Sequence, residues 1–472
     1  MSAHTIDTIA AVATPPGEGG IAVIRVSGPL ALSIADRVFG RDFRGDLAGK
    51  LRGYTVRYGQ FVDMMTGDVA DDGLLTVFRA PHSYTGEDCA ELSCHGGRAT
   101  TERVLRLTLD AGARLAGPGE FTQRAFLNGK LDLAQAEAVA DVIRARTETA
   151  RRQARRQLEG ALSSVIGQMR DELIGILAAI EVTIDFSEEV GELEYGPLEE
   201  RIAAVHLQVR KLLATVSQGR VLREGLAVAL VGRPNVGKSS LLNALLRADR
   251  AIVTPIAGTT RDTLEETATL GGLAVVLTDT AGIRDTGDVV ERLGVQRAQN
   301  AAARADVALV VLDAVDGITE ADEAVVAPLM VLEAAPLLVA LNKCDLLADE
   351  KVAALRARVL TTFALDARQV VPVSAQTGEG LEALEAALVR PYLASESDAA
   401  ESVIVTAARH AGALEAANLA LDHALETTRA CLPGDFIAID VRGALDALGE
   451  ITGETVTDEI VHRIFQDFCV GK

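Results

Sequence analysis

The sequence predicts a multidomain α/β protein: an N-terminal α+β domain, a helical domain, and a doubly wound α/β domain inserted into the helical one. Three observations carry this reading. At 472 residues the chain exceeds a single hydrophobic core and points to roughly two to four domains. Leu162, Val165, Ile166, Met169, Leu173, Ile176, Leu177, Ile180 and Ile184 fall at helical spacing, the mark of one long amphipathic helix. Downstream lies an ordered series of anion-, metal- and base-binding motifs, most of them closing an apolar strand.

The series opens at residues 232–239, Gly-Arg-Pro-Asn-Val-Gly-Lys-Ser, between the apolar run Gly225–Val231 and a helix-like stretch Ser240–Arg247. This strand–loop–helix context cradles phosphates: backbone N–H groups and the helix N-terminus face the anion, Lys238 supplies a cation and Ser239 a Mg²⁺ ligand. Asn235, Val236, Gly237 and Ser240 complete that loop. Gly258-Thr259-Thr260-Arg261-Asp262 follows, where Thr260 offers a hydroxyl and a carbonyl to the Mg²⁺ shell. Asp279-Thr280-Ala281-Gly282 comes directly after the strand Leu273–Leu277; the acid holds the metal's water shell and the glycine lets an amide approach the γ-phosphate. Asn342-Lys343-Cys344-Asp345 ends the strand Leu337–Leu341, and a fixed carboxylate at Asp345 accepts both N1–H and N2–H of guanine, a donor pair adenine lacks. Last, Ser374-Ala375-Gln376 follows Val370–Val373 and sets a backbone amide near guanine O6. Five motifs in this order make a P-loop GTPase domain with a Ras-like doubly wound sheet, taking GTP and Mg²⁺.

Ras-like GTPases carry a glutamine directly after the D-x-x-G motif to orient the attacking water. Here Ile283 and Arg284 follow, and an isoleucine cannot hold water. The polar segment Ile283–Gly294 contains Asp285, Asp288, Glu291 and Arg292, so a carboxylate from this stretch is the natural substitute; spacing ranks none of the three acids above the others.

Composition bounds the rest. A net charge of −21 excludes a global attraction to nucleic acid or to an anionic membrane, so any RNA contact must be local. Five cysteines, without a C-x-x-C pair, speak for a reducing cytoplasm and against a structural zinc site. No apolar run approaches the length of a membrane span, and a secretory leader is not evident, so the expectation is a cytoplasmic protein with no membrane partner.

Residues 1–128 read as mixed α/β, with strands at Ile21–Val26, Leu74–Phe78 and Ala90–Cys94 and a helix at Ala31–Phe39. Helical pattern takes over at 129–220 and returns at 390–472, through Leu414, Leu421 and Leu425 and then Leu445, Leu448 and Ile451. A tail of about 80 residues would be marginal alone. One helical domain with the GTPase, residues 221–389, inserted is therefore favoured over two independent ones. A basic run, Arg144, Arg146, Arg151, Arg152, Arg155 and Arg156, contains like-charge i,i+4 pairs that call for acidic compensation, from RNA or from Asp and Glu side chains.

With these residues in view, the chain resembles the MnmE (TrmE) family of tRNA-modification GTPases over its whole length. The resemblance rests on Ala13-Thr14-Pro15-Pro16-Gly17, Ile24-Arg25-Val26-Ser27-Gly28 and Tyr84-Thr85-Gly86-Glu87-Asp88. It rests further on Pro118-Gly119-Glu120-Phe121-Thr122, Arg124-Ala125-Phe126-Leu127-Asn128, the run Lys130 to Ala138, and the closing Phe468-Cys469-Val470-Gly471-Lys472. Gly129 before Lys130 and Val470 in place of a common isoleucine are its only small departures.

The resemblance implies a tetrahydrofolate-binding N-terminal domain that also makes a homodimer, and a flavoprotein partner, MnmG, forming a heterotetramer. Together they install an aminomethyl or carboxymethylaminomethyl group on the wobble uridine of certain tRNAs, with a one-carbon unit from a 5-formyl- or 5,10-methylene-tetrahydrofolate. It places Arg25, Glu91, Lys130 and Lys472 on the folate and selects Glu291 as the residue that orients water, beside Lys238 and Thr260 in the catalytic set. It makes Asn235 a K⁺ ligand, with oxygens near Thr254, Ile256 and Thr259, in a loop where Pro255, Ala257 and Gly258 complete the nucleotide contacts. Activation would come from K⁺ and from dimerisation of GTPase domains. Two alternatives stand beside it: a stand-alone ribosome-assembly or translation switch, and a regulatory module without turnover.

Overall fold

The computed structural model describes residues 7–40, 50–248, 265–279, 299–332, 335–393, 403–466 and 468–472. Thr254 to Thr260, Thr280 to Gly282 and Glu291 lie outside them. The chain forms two compact units, Met1–Ile143 with Arg155–Val205 and Leu419–Lys472, and Arg144–Ala154 with His206–Asn418. Of the four divisions, three fall inside the helices Glu148–Leu158, Tyr195–Leu213 and Ala408–Arg429, and one falls at the last residue of the helix Leu133–Arg144.

In the first unit, β1 (Ile9–Val12), β2 (Gly19–Ser27), β3 (Thr55–Val62), β4 (Val69–Phe78), β5 (Cys89–Gly96) and β6 (Arg114–Leu115) make one sheet in the order β3-β4-β5-β2-β1-β6. Every pairing is antiparallel except β1 with β6. Period-two alternation decides which face is covered: Ala22, Ile24 and Val26 of β2 point inward with Leu75, Val77 and Leu92, leaving Arg25 and Glu91 paired on the opposite face. Helices Ala31–Val38 and Arg98–Asp110 close this core with Ile34, Val38, Val104 and Leu107.

The helical part of this unit is built on the long helix Ala161–Asp185, which buries Leu162, Ile166, Met169, Leu173, Ile176, Leu177 and Ile180. It packs along Gly434–Thr452, whose Ile437, Val441, Ala444, Leu448 and Ile451 are buried in turn. The chain then returns to the N-terminal region: Val470 bridges Pro118, the Gly119 amide donates to Cys469 O at 3.3 Å, and the Phe121 amide donates to Lys472 O at 3.2 Å.

In the second unit, β7 (Leu226–Val231), β8 (Glu265–Leu270), β9 (Leu273–Asp279), β10 (Val307–Asp313), β11 (Leu337–Asn342) and β12 (Val370–Pro372) lie in the order β12-β11-β10-β7-β9-β8. All pairings are parallel except the β8–β9 hairpin. Parallel strands covered on both faces read as unbroken apolar runs, and β10 is buried at every position. Helices Lys238–Ala248 and Leu381–Val389 cover one face through Leu241, Leu245, Leu384 and Leu388; Val326 and Val359 cover the other. The carboxyl ends of β7, β10, β11 and β12 therefore open on one side, where doubly wound sheets bind ligands.

Candidate nucleotide site

The loop after β7 is shaped by backbone that L-residues rarely adopt: φ is 150° at Gly232, 66° at Asn235 and 95° at Gly237. At Gly237 a Cβ would run into the Asn342 amide, so glycine is required for contact as well as for φ. The helix Lys238–Ala248 begins within the loop, so its N-terminus, the end of a helix that favours anions, faces that loop. Lys238 is only 6% exposed, and its Nζ donates to the carbonyls of Gly232 at 2.7 Å and Arg233 at 2.8 Å. Ser239 is the second residue of that helix. Arg233 is tied down by Asp316 at 2.5 Å and Asp322 at 3.3 Å.

The opposite wall comes from β11 and β12. Asn342, 2% exposed, donates from Nδ2 to Val236 O at 2.9 Å and accepts the Ala375 amide on Oδ1 at 3.0 Å. Lys343 follows in left-handed backbone, φ 67°, and its Nζ donates to Asn235 O at 3.1 Å and to Asp313 Oδ2 at 2.6 Å. Burial works against the Asp313 carboxylate, yet Lys343 and backbone amides outweigh it and hold its pKa below the usual range. Burial likewise pushes the Cys344 thiol up. Asp345 is exposed in the short turn Cys344–Leu346. Ser374 is fully buried, its hydroxyl accepting the Thr377 amide at 3.1 Å.

Between the walls lies a cleft of about 660 Å³ lined by Gly237, Ser240, Asn342, Lys343, Asp345, Ser374, Ala375 and Gln376 among others. Asn235, Val236, Lys238 and Ser239 belong to the same loop, and Asp279 ends β9 opposite Leu230, next to the loop's origin. The sequence reading missed Asp313 and Arg233. The signal for Asp313 was a fully apolar strand ending in an acid, the pattern it had used for Asp279.

A second cluster stands in the first unit. Arg25 donates from Nε to Glu91 Oε1 at 2.9 Å, and its guanidinium lies 5.3 Å from the Tyr84 ring centroid and 5.7 Å from that of Phe121. Lys130 donates to Pro81 O at 3.1 Å, and Lys472 reaches the group through its carbonyl on the Phe121 amide. Arg124 knits the flanking motifs together, binding Asp7 at 2.6 Å, Glu120 at 3.0 Å and Glu87 at 3.2 Å, while Ser27 donates to Glu87 at 2.6 Å. In the basic run, Glu148 pairs with Arg151 and Arg152, and Glu159 with Arg155, so carboxylates of the same stretch supply compensation.

A mainly parallel sheet whose glycine-rich loop meets an Asn-Lys-x-Asp corner across one cleft defines the class, a P-loop GTPase. Residues 8–130 match the family described as the GTP-binding protein TrmE N-terminus, and residues 133–469 the MnmE helical domain. The tRNA modification GTPase MnmE of Moorella thermoacetica is 48% identical over 99% of both chains, and that of Symbiobacterium thermophilum 49% identical over 99% of both. Era of Aquifex aeolicus, a solved structure, is 29% identical over 41% of this chain and 66% of its own, with a TM-score of 0.30. The chain belongs to the MnmE family of tRNA modification GTPases and is a GTP-hydrolysing enzyme.

Proposed function

We propose that this enzyme couples GTP hydrolysis to the addition of an aminomethyl or carboxymethylaminomethyl group at C5 of the wobble uridine of certain tRNAs. It acts in the cytoplasm with the flavoprotein MnmG and draws the one-carbon unit from a tetrahydrofolate. Similarity over nearly the whole length of its relatives carries the reading, because it takes in the N-terminal domain and the closing motif as well as the GTPase domain.

In this reading Asp345 accepts guanine N1–H and N2–H and the Ala375 amide donates to O6. Lys238 leaves the loop carbonyls it now holds and pairs with the phosphates. The hard oxygen donor of Ser239, on an anion-binding helix start, fits Mg²⁺, with Thr260 and Asp279 as the further holders; the ion would neutralise charge on the phosphates. Asn235, exposed in left-handed backbone, with Thr254, Ile256 and Thr259, would hold K⁺, whose charge does the work of an arginine finger, worth about 10³–10⁵ in rate when fully realised. Glu291 orients the water. Around Arg25, whose guanidinium lies over the Tyr84 and Phe121 rings, the carboxylate of Glu91 fits the donors of a pterin, with Lys130 and Lys472 for its glutamate. The one helical domain, residues 129–220 and 390–472, carries the inserted GTPase domain, 221–389, and residues 1–128 form the homodimer.

Hydrolysis by the purified chain tests the GTPase part. Turnover falls strongly when Na⁺ replaces K⁺ and when the protein is diluted below its dimer constant. Glu291→Ala lowers kcat and kcat/KM together and spares GTP binding, whereas neutralising Asp285 or Asp288 changes turnover by only about a few-fold. Equal rates in the two salts, or normal hydrolysis by Glu291→Ala, contradict the reading.

A further inference from the structure

Two consecutive side chains at the end of β11 hold two consecutive carbonyls of the phosphate loop: Asn342 holds Val236 and Lys343 holds Asn235. Lys343 does not stand alone. Its ammonium is shared with Asp313, which lies directly opposite Asn342 in the β10–β11 register and is 5% exposed. The carboxylate is itself fixed, for Oδ1 accepts the Val315 amide at 2.9 Å and the neighbouring Ala314 amide donates to Asn342 O at 2.8 Å.

We propose that Asp313 is a positioning residue for nucleotide retention: it holds the Lys343 ammonium against the Asn235 carbonyl and so locks the phosphate loop to the base-binding corner. The physical ground is a difference in rigidity. A lysine stem has four rotatable carbons and would sample many rotamers on its own. A buried, amide-anchored carboxylate removes most of them, and a charge-assisted hydrogen bond is about twice as strong as a neutral one. The Asn235 carbonyl, in left-handed backbone, gains a fixed donor partner, which favours the loop shape that a diphosphate requires. Without Asp313 the ammonium swings toward solvent, the Asn235 carbonyl is released, and bound nucleotide escapes through a loosened loop.

This rests on the cleft being the guanine-nucleotide site. The experiment follows dissociation of a fluorescent GDP analogue from the full-length protein, for the wild type, Asp313→Ala, Asp313→Asn, Lys343→Ala and the Asp313→Ala/Lys343→Ala pair. Asp313→Ala should speed release by about tenfold or more, because it removes the charged acceptor of a half-buried, charge-assisted hydrogen bond. Asp313→Asn keeps an acceptor for the Val315 amide and should fall between it and the wild type. In the Lys343→Ala background, Asp313→Ala should add less than about twofold, because the two residues act as one device. Purely structural support by Asp313 would instead multiply with loss of Lys343. Multiplying effects, or an Asp313→Ala protein that binds and releases like the wild type, overturn the proposal alone. A wild-type chain that fails to bind the GDP analogue overturns the guanine reading and the proposal with it.

Discussion

Asp345 and Asn342 lie three positions apart and do opposite work. Asn342 is buried and spends both ends of its amide on the protein, whereas Asp345 is exposed on the cleft wall, where the proposed reading gives its carboxylate to guanine. Asp345→Asn should therefore leave the fold intact and change only what is bound. A buried donor left unmatched costs about 1–3 kcal/mol, so GTP binding should weaken roughly 5- to 150-fold while xanthosine triphosphate, which offers an acceptor instead, gains. Competition binding of the two nucleotides checks this, and unchanged preference would contradict it. That Asn342, Lys343, Asp345, Ser374 and Ala375 share one cleft was legible, because each sits at a fixed offset from a strand end. Asp313 was not, since an apolar strand ending in an acid marks the position but not its partner Lys343, thirty residues on, which the structure shows reaching it. The tying role of Arg124 was likewise hidden in a motif recognised without its chemistry.

Among the elements, the long helix was legible almost residue for residue: its seven buried positions are all among those expected, while Ile184 at its end is 41% exposed. The apolar strands β7, β9, β11 and β12 were equally plain. What escaped were β1, β3, β6, β8 and β10. Short or half-exposed strands such as β3, whose Val56 and Tyr58 face solvent, carry no clean alternation, and β8 pairs as an antiparallel edge beside a glycine turn. Two helical glycines give a test of packing against propensity. In the helix Val216–Glu224, the space a Cβ would take at Gly219 is filled by the Val405 carbonyl, so Gly219→Ala should cost about 1–3 kcal/mol. Gly167, in the helix Ala161–Asp185, has open space there, and Gly167→Ala should add about 0.5–1 kcal/mol from propensity alone. Thermal melting of the two variants should shift in opposite directions; a common direction would show that the Val405 contact does not govern the site.

For the whole molecule, one polypeptide carries a nucleotide cleft in one compact unit and the Arg25–Glu91 cluster in the other. The segment after Phe465 explains why the last residues read as a motif: Val470 and Lys472 are spent on Pro118 and Phe121, next to the ring under Arg25. With a net charge of −21 and the basic run partly paired within its own stretch, nothing draws RNA to the surface as a whole. Among the described residues no helix is long and apolar enough to cross a membrane. GTP turnover, in the proposed reading, serves wobble-uridine modification. This role is tested most directly by mass spectrometry of wobble uridines in tRNA from cells lacking this chain, complemented with the wild type, with Asp345→Asn or with Glu291→Ala. The C5 aminomethyl-type modifications should vanish on deletion, return with the wild type and stay absent or strongly reduced with either variant. Modified wobble uridines persisting at normal levels in the deletion strain would contradict it.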